Sequence, residues 1–501
     1  MIDFWNHLAL GFATAAQPLN LAACFCGVLL GTFIGVLPGI GPLATLAMLL
    51  PVTYSFPPVA SLIMLAGIYY GAQYGGSTTA ILARLPGETS SVVTCLDGHQ
   101  MALRGRAGPA LAIAALGSFF AGTVATVVVA LFAPALTSVA LYFTDLDYFS
   151  LMTLGLVGAV VLAHGSVLKA VAMVFIGLLL GLVGTDVNTG VSRFTFGVPE
   201  LLDGINFVPV AIGLFGLADI ISNLERRHER VMLISTKLRD LWPNRQEFRE
   251  AFPAVVRGTA VGSLLGILPG GGAVLSSFAS YAVEKRISPT PERFGHGAVE
   301  GLAGPEAANN AGAQTSFIPM LTLGLPSNAV MALMIGAMML QGIQPGPQVM
   351  AERPALVWGM IASMWIGNLM LVIINLPLIG VWVQMVKAPY NLLFPVIIVF
   401  CALGAFSISN SAVDVAIGAI FAIFGYLFVK LNCEPAPLAL GYILGPLMEE
   451  NLRRGMLLAN GDPTILFTRP LSLCLLSVAA ALLIMVAAPT IRARREEAFN
   501  E

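Results

Sequence analysis

Gly262-Ser-Leu-Leu-Gly-Ile-Leu-Pro-Gly-Gly-Gly-Ala273 lies inside a long apolar run and has a near twin at Gly31-Thr-Phe-Ile-Gly-Val-Leu-Pro-Gly-Ile-Gly-Pro42. Alignment places Gly31 on Gly262, Gly35 on Gly266, Pro38 on Pro269, Gly39 on Gly270 and Gly41 on Gly272. Proline has no amide proton and clashes with the preceding turn, so it ends or kinks a helix. The glycines that follow admit backbone angles other residues resist. Each copy therefore reads as a membrane helix that breaks partway across. Breaks at corresponding positions of two halves are the best sequence pointer to the binding site of a secondary transporter.

The surrounding composition fits a membrane. Hydrophobic residues make up 57% and charged residues 10%, where a soluble chain carries about 25% charged residues. Mean hydropathy is +0.86, and runs of about 20 apolar residues recur from end to end. The 52 glycines and 31 prolines sit within those runs, where close helix packing and broken helices use them. No basic, aromatic-interleaved patch points to nucleic acid. The six cysteines are scattered, with no C-x-x-C pair, and read as small buried hydrophobes. Residues 1–20 hold no Lys or Arg, so no basic signal-peptide region is expected.

Charge then orients the chain. Residues 1–20, with Phe4, Trp5 and His7, suit the membrane boundary. The longest polar stretch, Leu224–Arg257, carries eight arginines and lysines and is expected in the cytoplasm, as is the tail at Arg492-Ala-Arg-Arg495. An uncharged start outside and a basic seam inside give the first half an odd number of crossings. The second half then begins inside, so the repeats are inverted. Lys285, Arg286 and Arg293 stay inside if the second broken helix is re-entrant.

The expected fold is an all-α polytopic membrane protein of two inverted-topology repeats with broken or re-entrant helices, about 12–14 membrane segments in all. The expected boundaries are a first repeat at 1–224, a cytoplasmic linker at 225–257, a second repeat at 258–470, an extra helix at 471–491 and a basic tail at 492–501. A polar, Gly-rich stretch, Glu284–Gln314, separates two spans of the second half.

A second element also recurs. Ser77-Thr-Thr-Ala-Ile-Leu-Ala-Arg-Leu-Pro-Gly-Glu88 is similar to Gln314-Thr-Ser-Phe-Ile-Pro-Met-Leu-Thr-Leu-Gly-Leu-Pro-Ser-Asn328, with Thr78 set on Thr315 and Pro86 on Pro326 after a short insertion. Hydroxyls, amides and freed backbone N–H groups hold carboxylate oxygens without a fixed charge, aided by a half-helix N-terminus. Freed carbonyls hold Na⁺. The expected substrate contacts are Gly39, Gly41, Ser77, Thr78, Thr79, Gly270, Gly271, Gly272, Gln314, Thr315 and Ser316. The competing reading makes the hydroxyls packing residues bonded to their own previous turn. Glu306, Asn309 and Asn310 share one helix face and read as an ion or proton site, or as a helix start satisfying its own amides. Asp414 begins an apolar span, where a carboxylate is a functional hypothesis by default; an N-cap explains it nearly as well. His164, Asp186, Asn188 and the Glu449-Glu450/Arg453-Arg454 pairs read as structural. A Cβ at Gly272 is expected to abolish transport, and one at Gly262 to be much milder.

With these residues in view, the chain resembles the large membrane subunit of the tripartite tricarboxylate transporter family. The resemblance rests on Gly35-Val-Leu-Pro-Gly-Ile-Gly41, Tyr74-Gly-Gly-Ser-Thr-Thr-Ala80, Arg193-Phe-Thr-Phe-Gly197, Gly266-Ile-Leu-Pro-Gly-Gly-Gly272, Pro305-Glu-Ala-Ala-Asn-Asn310 and Leu440-Gly-Tyr-Ile-Leu-Gly-Pro446. It covers nearly the whole chain, and departs at Ser327, where Gly is expected after Pro. It implies a bacterial inner-membrane permease that imports citrate or a related carboxylate on a Na⁺ or H⁺ gradient. It also implies a small membrane subunit and a periplasmic solute-binding protein as partners, and no cofactor beyond the coupling ion. An elevator-like movement is fold-level analogy.

The rival classes are a membrane enzyme acting on a lipid-linked substrate and a passive channel. The first needs clustered acids, His or a metal set at membrane depth, and the sequence offers Gly, Ser, Thr and Asn instead. The second has no use for two matched breaks. There is no G-x-S-x-G, H-E-x-x-H or Walker A pattern, so ATP hydrolysis by this chain is excluded as the power source.

Overall fold

The structure is a computed structural model that describes residues 2–37, 41–163, 166–186, 189–225, 241–268, 272–385 and 390–487. Gly39, Gly270, Gly271, His164, Asn188, most of the linker and the basic tail lie outside the described residues.

The first half contains α1 (Ile2–Ala15), α2 (Pro18–Gly35), α3 (Pro42–Tyr54), α4 (Pro58–Ala83), α5 (Val92–Met101), α6 (Ala107–Ala140), α7 (Asp145–Leu162), α8 (Val167–Gly181), α9 (Phe207–Ala211) and α10 (Ala218–Glu225). The second half opens with α11 (Arg245–Leu265), α12 (Gly272–Ile287), α13 (Val299–Thr315), α14 (Phe317–Leu323), α15 (Ala329–Leu340) and α16 (Pro347–Glu352). It continues with α17 (Pro354–Asn375), α18 (Ile379–Met385), α19 (Tyr390–Ser409), α20 (Ala412–Lys430), α21 (Ala436–Leu458), α22 (Ile465–Thr468) and α23 (Pro470–Ala487). A two-residue antiparallel pairing, Gly184–Thr185 with Ser192–Arg193, is the only sheet among the described residues. Among the described residues, six helical stretches are long and apolar enough to cross a membrane by length and composition.

The glycine spacing of the opening motif explains how the helices meet. Gly27, Gly31 and Gly35 of α2 lie on the backbones of Met64, Ile68 and Ala72 of α4; a Cβ at any of the three would stand 2.3 Å from a carbonyl oxygen. Gly67, Gly71 and Gly75 of α4 answer against the backbone of α2. Partner numbers rise together, so α2 and α4 run parallel, and α3 must return between them. Small residues four apart allow such backbone contact, with weak Cα–H···O bonds as part of the attraction.

The second half repeats the arrangement. Gly258, Gly262 and Gly266 of α11 lie on Gly304, Ala308 and Gly312 of α13, where a Cβ would meet the carbonyl oxygens at 2.1, 2.3 and 2.4 Å. α12 returns between them, its Glu284 and Ser280 near Gly304 and its Ser276 near Gly312. The contact register also corrects the pairing read from the second repeated element. Met64, Ile68 and Ala72 answer to residues 240 further on, so Gly75 falls on Thr315, with no insertion before Pro86 and Pro326. Arg84 and Gly324 then coincide, and both end their helices in the left-handed conformation, at φ 57° and 69°.

α4 and α13 are the central helices. Every residue of α4 from Ala60 to Ala83 is buried, and every residue of α13 but Glu300. They run in opposite directions: Tyr70 packs on Phe317 just beyond α13, with ring centroids 5.9 Å apart, while Ser77 reaches Glu306. Thus the stretch read as a polar separator, Glu284–Gln314, holds the most buried helix of the second half. α11 likewise starts at Arg245, inside the stretch read as linker. Asn244 and Glu247 form a reciprocal capping box there, Asn244 Oδ1 accepting from Glu247 N–H at 2.9 Å, which satisfies two otherwise orphaned donors.

Carboxylates tie the returning segments down. Asp97 accepts backbone N–H bonds from Gly295, Gly297 and Ala298 at 2.9, 2.7 and 2.7 Å, and the Tyr281 hydroxyl at 3.1 Å, so it anchors the turn into α13. Arg257 of α11 grips buried Glu284 of α12 through two bonds of 2.8 and 2.6 Å; such forked pairs fix orientation as well as charge. The Glu449–Arg453 and Glu450–Arg454 pairs form within α21 as read. Asp186 joins them by pairing with Arg453 and Arg193.

Candidate functional site

The breaks and the second elements meet. At the first break Gly41 caps α3 in an extended conformation, and a Cβ there would lie 3.5 Å from the Gly87 carbonyl. Gly87 itself touches Gly76 and the Gly35 carbonyl. At the second break Gly272 starts α12 at φ +50°, and a Cβ on it would lie 2.8 Å from Asn328 Nδ2. Asn328 caps α15: its Oδ1 accepts from Met331 N–H at 3.0 Å and its Nδ2 donates to Ser316 Oγ at 3.2 Å. The N-termini of α12 and α15 therefore come together at Gly272 and Asn328, beside Ser316. Each end carries unpaired N–H groups and a partial positive charge.

The hydroxyls divide between the two readings made of them. Ser77 donates to Glu306 Oε2 at 2.7 Å, across the two halves, and also lies 3.1 Å from the Gln73 carbonyl of its own helix. Thr78 and Thr79 bond back to Tyr74 and Gly76 of their own helix. Thr315 and Ser316 do the same toward Ala311 and Gly312, and lie near the carbonyls of Gly262 and Gly266. Gln314 is 3% exposed, and its Oε1 has no partner among the described residues.

Glu306, Asn309 and Asn310 do converge. Glu306 receives the hydroxyls of Ser77 and Thr94. Asn309 Nδ2 donates to Glu88 at 3.1 Å, and Asn310 Nδ2 to Ser118 Oγ at 2.6 Å. Glu88, Thr94 and Ser118 were missed because each stands alone in sequence. Only Glu88 carried a signal, as the end of the repeated element. Among the described residues, buried Gln73 of α4 and Asn309 Oδ1 have no side-chain partner within hydrogen-bonding geometry. Unpaired buried polar atoms cost about 1–3 kcal/mol each when nothing else meets them.

Asp414 is not part of this cluster. It lines a separate cavity of ≈ 500 Å³ together with Glu200, Asp203, Asn206, Ser411 and Tyr442. Ser411 rather than Asp414 caps α20, accepting from Val413 N–H at 3.1 Å.

A family model described as the Tripartite tricarboxylate transporter TctA family matches residues 21–440. A 52.8 kDa protein of Agrobacterium vitis, described as uncharacterised and lying in the TAR-I ttuC' 3' region, is 58% identical over 501 residues, the whole of both chains. A second uncharacterised Agrobacterium vitis protein, in the TAR-II ttuC' 3' region, is 57% identical over 240 residues, 48% of this chain and 99% of that one. No solved structure matches.

Proposed function

Because the chain belongs to the tripartite tricarboxylate transporter TctA family, we propose that it is the permease subunit of a binding-protein-dependent secondary transporter that imports a tricarboxylate or related organic carboxylate. The observation that carries this reading is the meeting of two helix N-termini, α12 and α15, at the second break. Anionic oxygens are stabilised at such ends by unpaired N–H groups and the helix dipole. The first break offers a matching approach of Gly41 and Gly87. The glycines of both breaks and the polar side chains of α4, α13 and residues 314–316 surround the carboxylate. Glu306, Asn309 and Asn310 take the coupling ion, Na⁺ or H⁺, and Asp414 is a second candidate from its own cavity. No catalytic step is part of this reading.

The two halves are inverted repeats in a bacterial inner membrane, divided at the linker 225–257. The opposite directions of α4 and α13 support this. So does the sorting of charge: Lys430 pairs with Glu225 next to the seam, and Arg106 with Glu247 just after it. On this topology Ala16 lies outside and Gln246 inside, both exposed. Cysteine labelling of Ala16→Cys and Gln246→Cys in intact cells, in a background without native cysteines, should reach only the first with an impermeant reagent. Labelling of both from one side rules the inversion out.

Dependence on partners is tested in liposomes. The lone chain should take up little radiolabelled citrate at low concentration. Addition of the small membrane subunit and the liganded solute-binding protein should raise uptake by about tenfold or more, as delivery raises local substrate concentration. Equal uptake with and without them would make the chain a self-sufficient carrier.

A further inference from the structure

Beside Glu306 lies a cavity of ≈ 20 Å³, bordered by Tyr74, Ser77 and Thr78 of α4, Ser118 of α6, Glu306 of α13 and Asn375 of α17. About 10–15 Å³ is enough to hold one water-sized particle. Asn375 is 6% exposed; its Nδ2 donates back to the Leu371 carbonyl at 2.9 Å, and its Oδ1 has no partner among the described residues. Glu306 is 1% exposed, and its carboxylate is met by hydroxyls, with no ion pair among the described residues.

We propose that a desolvated Na⁺ ion binds in this cavity, held by the Glu306 carboxylate, Asn375 Oδ1 and the hydroxyl oxygens of Ser77, Thr78 and Ser118. The proposal rests on the ion-coupled reading above and gives that ion its place at Glu306, with the amides of Asn309 and Asn310 donating to Glu88 and Ser118 rather than lining the cavity. Size is the first argument, because the space admits a particle the size of one water or one bare ion. Donor type is the second, since the groups offered are hard oxygens, which suit hard cations. Charge is the third. A buried carboxylate without a partner is costly in a membrane, and a cation offsets that cost. A proton on Glu306 with a water in the cavity would also neutralise it and reach Asn375 Oδ1, and that is the alternative the Na⁺-binding measurement separates. The site draws on three membrane helices besides α13, so occupancy ties α4 to α6, α13 and α17. Ser77 and Thr78 follow directly on the Gly75-Gly76 pair that packs at the first break, which links ion and substrate positions physically.

The test uses the purified full-length chain. Binding of ²²Na⁺ should be saturable, and thermal unfolding should shift upward with Na⁺ but not with choline at equal ionic strength, as ligand binding to the folded state requires. Asn375→Leu keeps the volume and removes the oxygen, and Glu306→Gln removes the charge. Each should weaken Na⁺ binding by about tenfold or more, equivalent to about 1.4 kcal/mol. Asn375→Asp keeps an oxygen and should retain binding. Gel filtration of each variant establishes that it is folded. Absence of saturable ²²Na⁺ binding in the parent, a water molecule only in the cavity, overturns the proposal, and so does parental binding by folded Asn375→Leu. Citrate uptake by the assembled system with neither a Na⁺ nor an H⁺ gradient would instead count against the coupled-transport reading, and leaves the measured Na⁺ binding as it stands.

Discussion

Gly262→Ala and Gly31→Ala should each reduce the amount of folded protein in the membrane by about tenfold, against the mild effect that the sequence alone leads one to expect at Gly262. A methyl at Gly262 would lie 2.3 Å from the Ala308 carbonyl oxygen and 2.8 Å from its Cα; at Gly31 it would lie 2.3 Å from the Ile68 oxygen and 2.8 Å from its Cα. The obstacles are backbone atoms of a central helix, which no rotamer change can clear. The helix pair must separate, and each neighbouring glycine contact along the ridge is weakened with it. Overpacking in a close-packed interior costs about 1–3 kcal/mol, and about 1.4 kcal/mol is a factor of ten in an equilibrium. Gly155 of α7 is the control, since a Cβ there meets nothing within 4 Å, and Gly155→Ala should express like the parent. The measurement is the monodisperse gel-filtration peak of detergent-solubilised protein, relative to total protein in membranes. A parental peak for Gly262→Ala would mean that the two helices do not hold this separation.

What could be read in advance was whatever leaves a mark on local chemistry. Pro-Gly runs within apolar stretches announce a break because proline and glycine act on the backbone where they stand, so both breaks were found and matched. Long apolar helices with an exposed side, such as α17 and α20, announce themselves by hydropathy. α13 does not, because it is buried within the protein along nearly its whole length. A helix enclosed by protein on all sides is free to carry Glu306, Asn309, Asn310 and Gln314, and it then looks like a polar loop. The candidate site was half legible for a related reason. Glu306, Asn309 and Asn310 share a helix face, and spacing reveals that. Glu88, Thr94, Ser118 and Asn375 reach the same region from four other segments, and no spacing rule joins them. Asp414 shows the converse: a carboxylate in an apolar span attracts attention, yet it lies in a different cavity from Glu306.

Gly272→Val should leave a folded protein that no longer transports. The backbone at Gly272 has φ +50°, a region that a β-branched residue enters only under strain, at about 1–3 kcal/mol. The added Cβ would stand 2.8 Å from Asn328 Nδ2, the far end of a side chain that can swing away. The added side chain meets Asn328 and not the backbone contacts of Gly258, Gly262 and Gly266 with α13, so assembly should survive. Function should not. Asn328 holds the entry to α15 through Met331 N–H and steadies Ser316 through its amide. Moving it turns one helix N-terminus away from the other. The valine methyls then fill the approach that a carboxylate oxygen needs to reach the first N–H groups of α12. Loss of an anion from two such ends removes several charge-assisted hydrogen bonds, each about twice as strong as a neutral one. Uptake of radiolabelled citrate by the reconstituted three-component system, normalised to folded permease, should fall to the level of empty liposomes. Asn328→Ala should lower uptake less, because it removes the cap and leaves the space open. If Gly272→Val transports at the parental rate, the break at 269–272 serves packing alone, and the carboxylate must bind elsewhere.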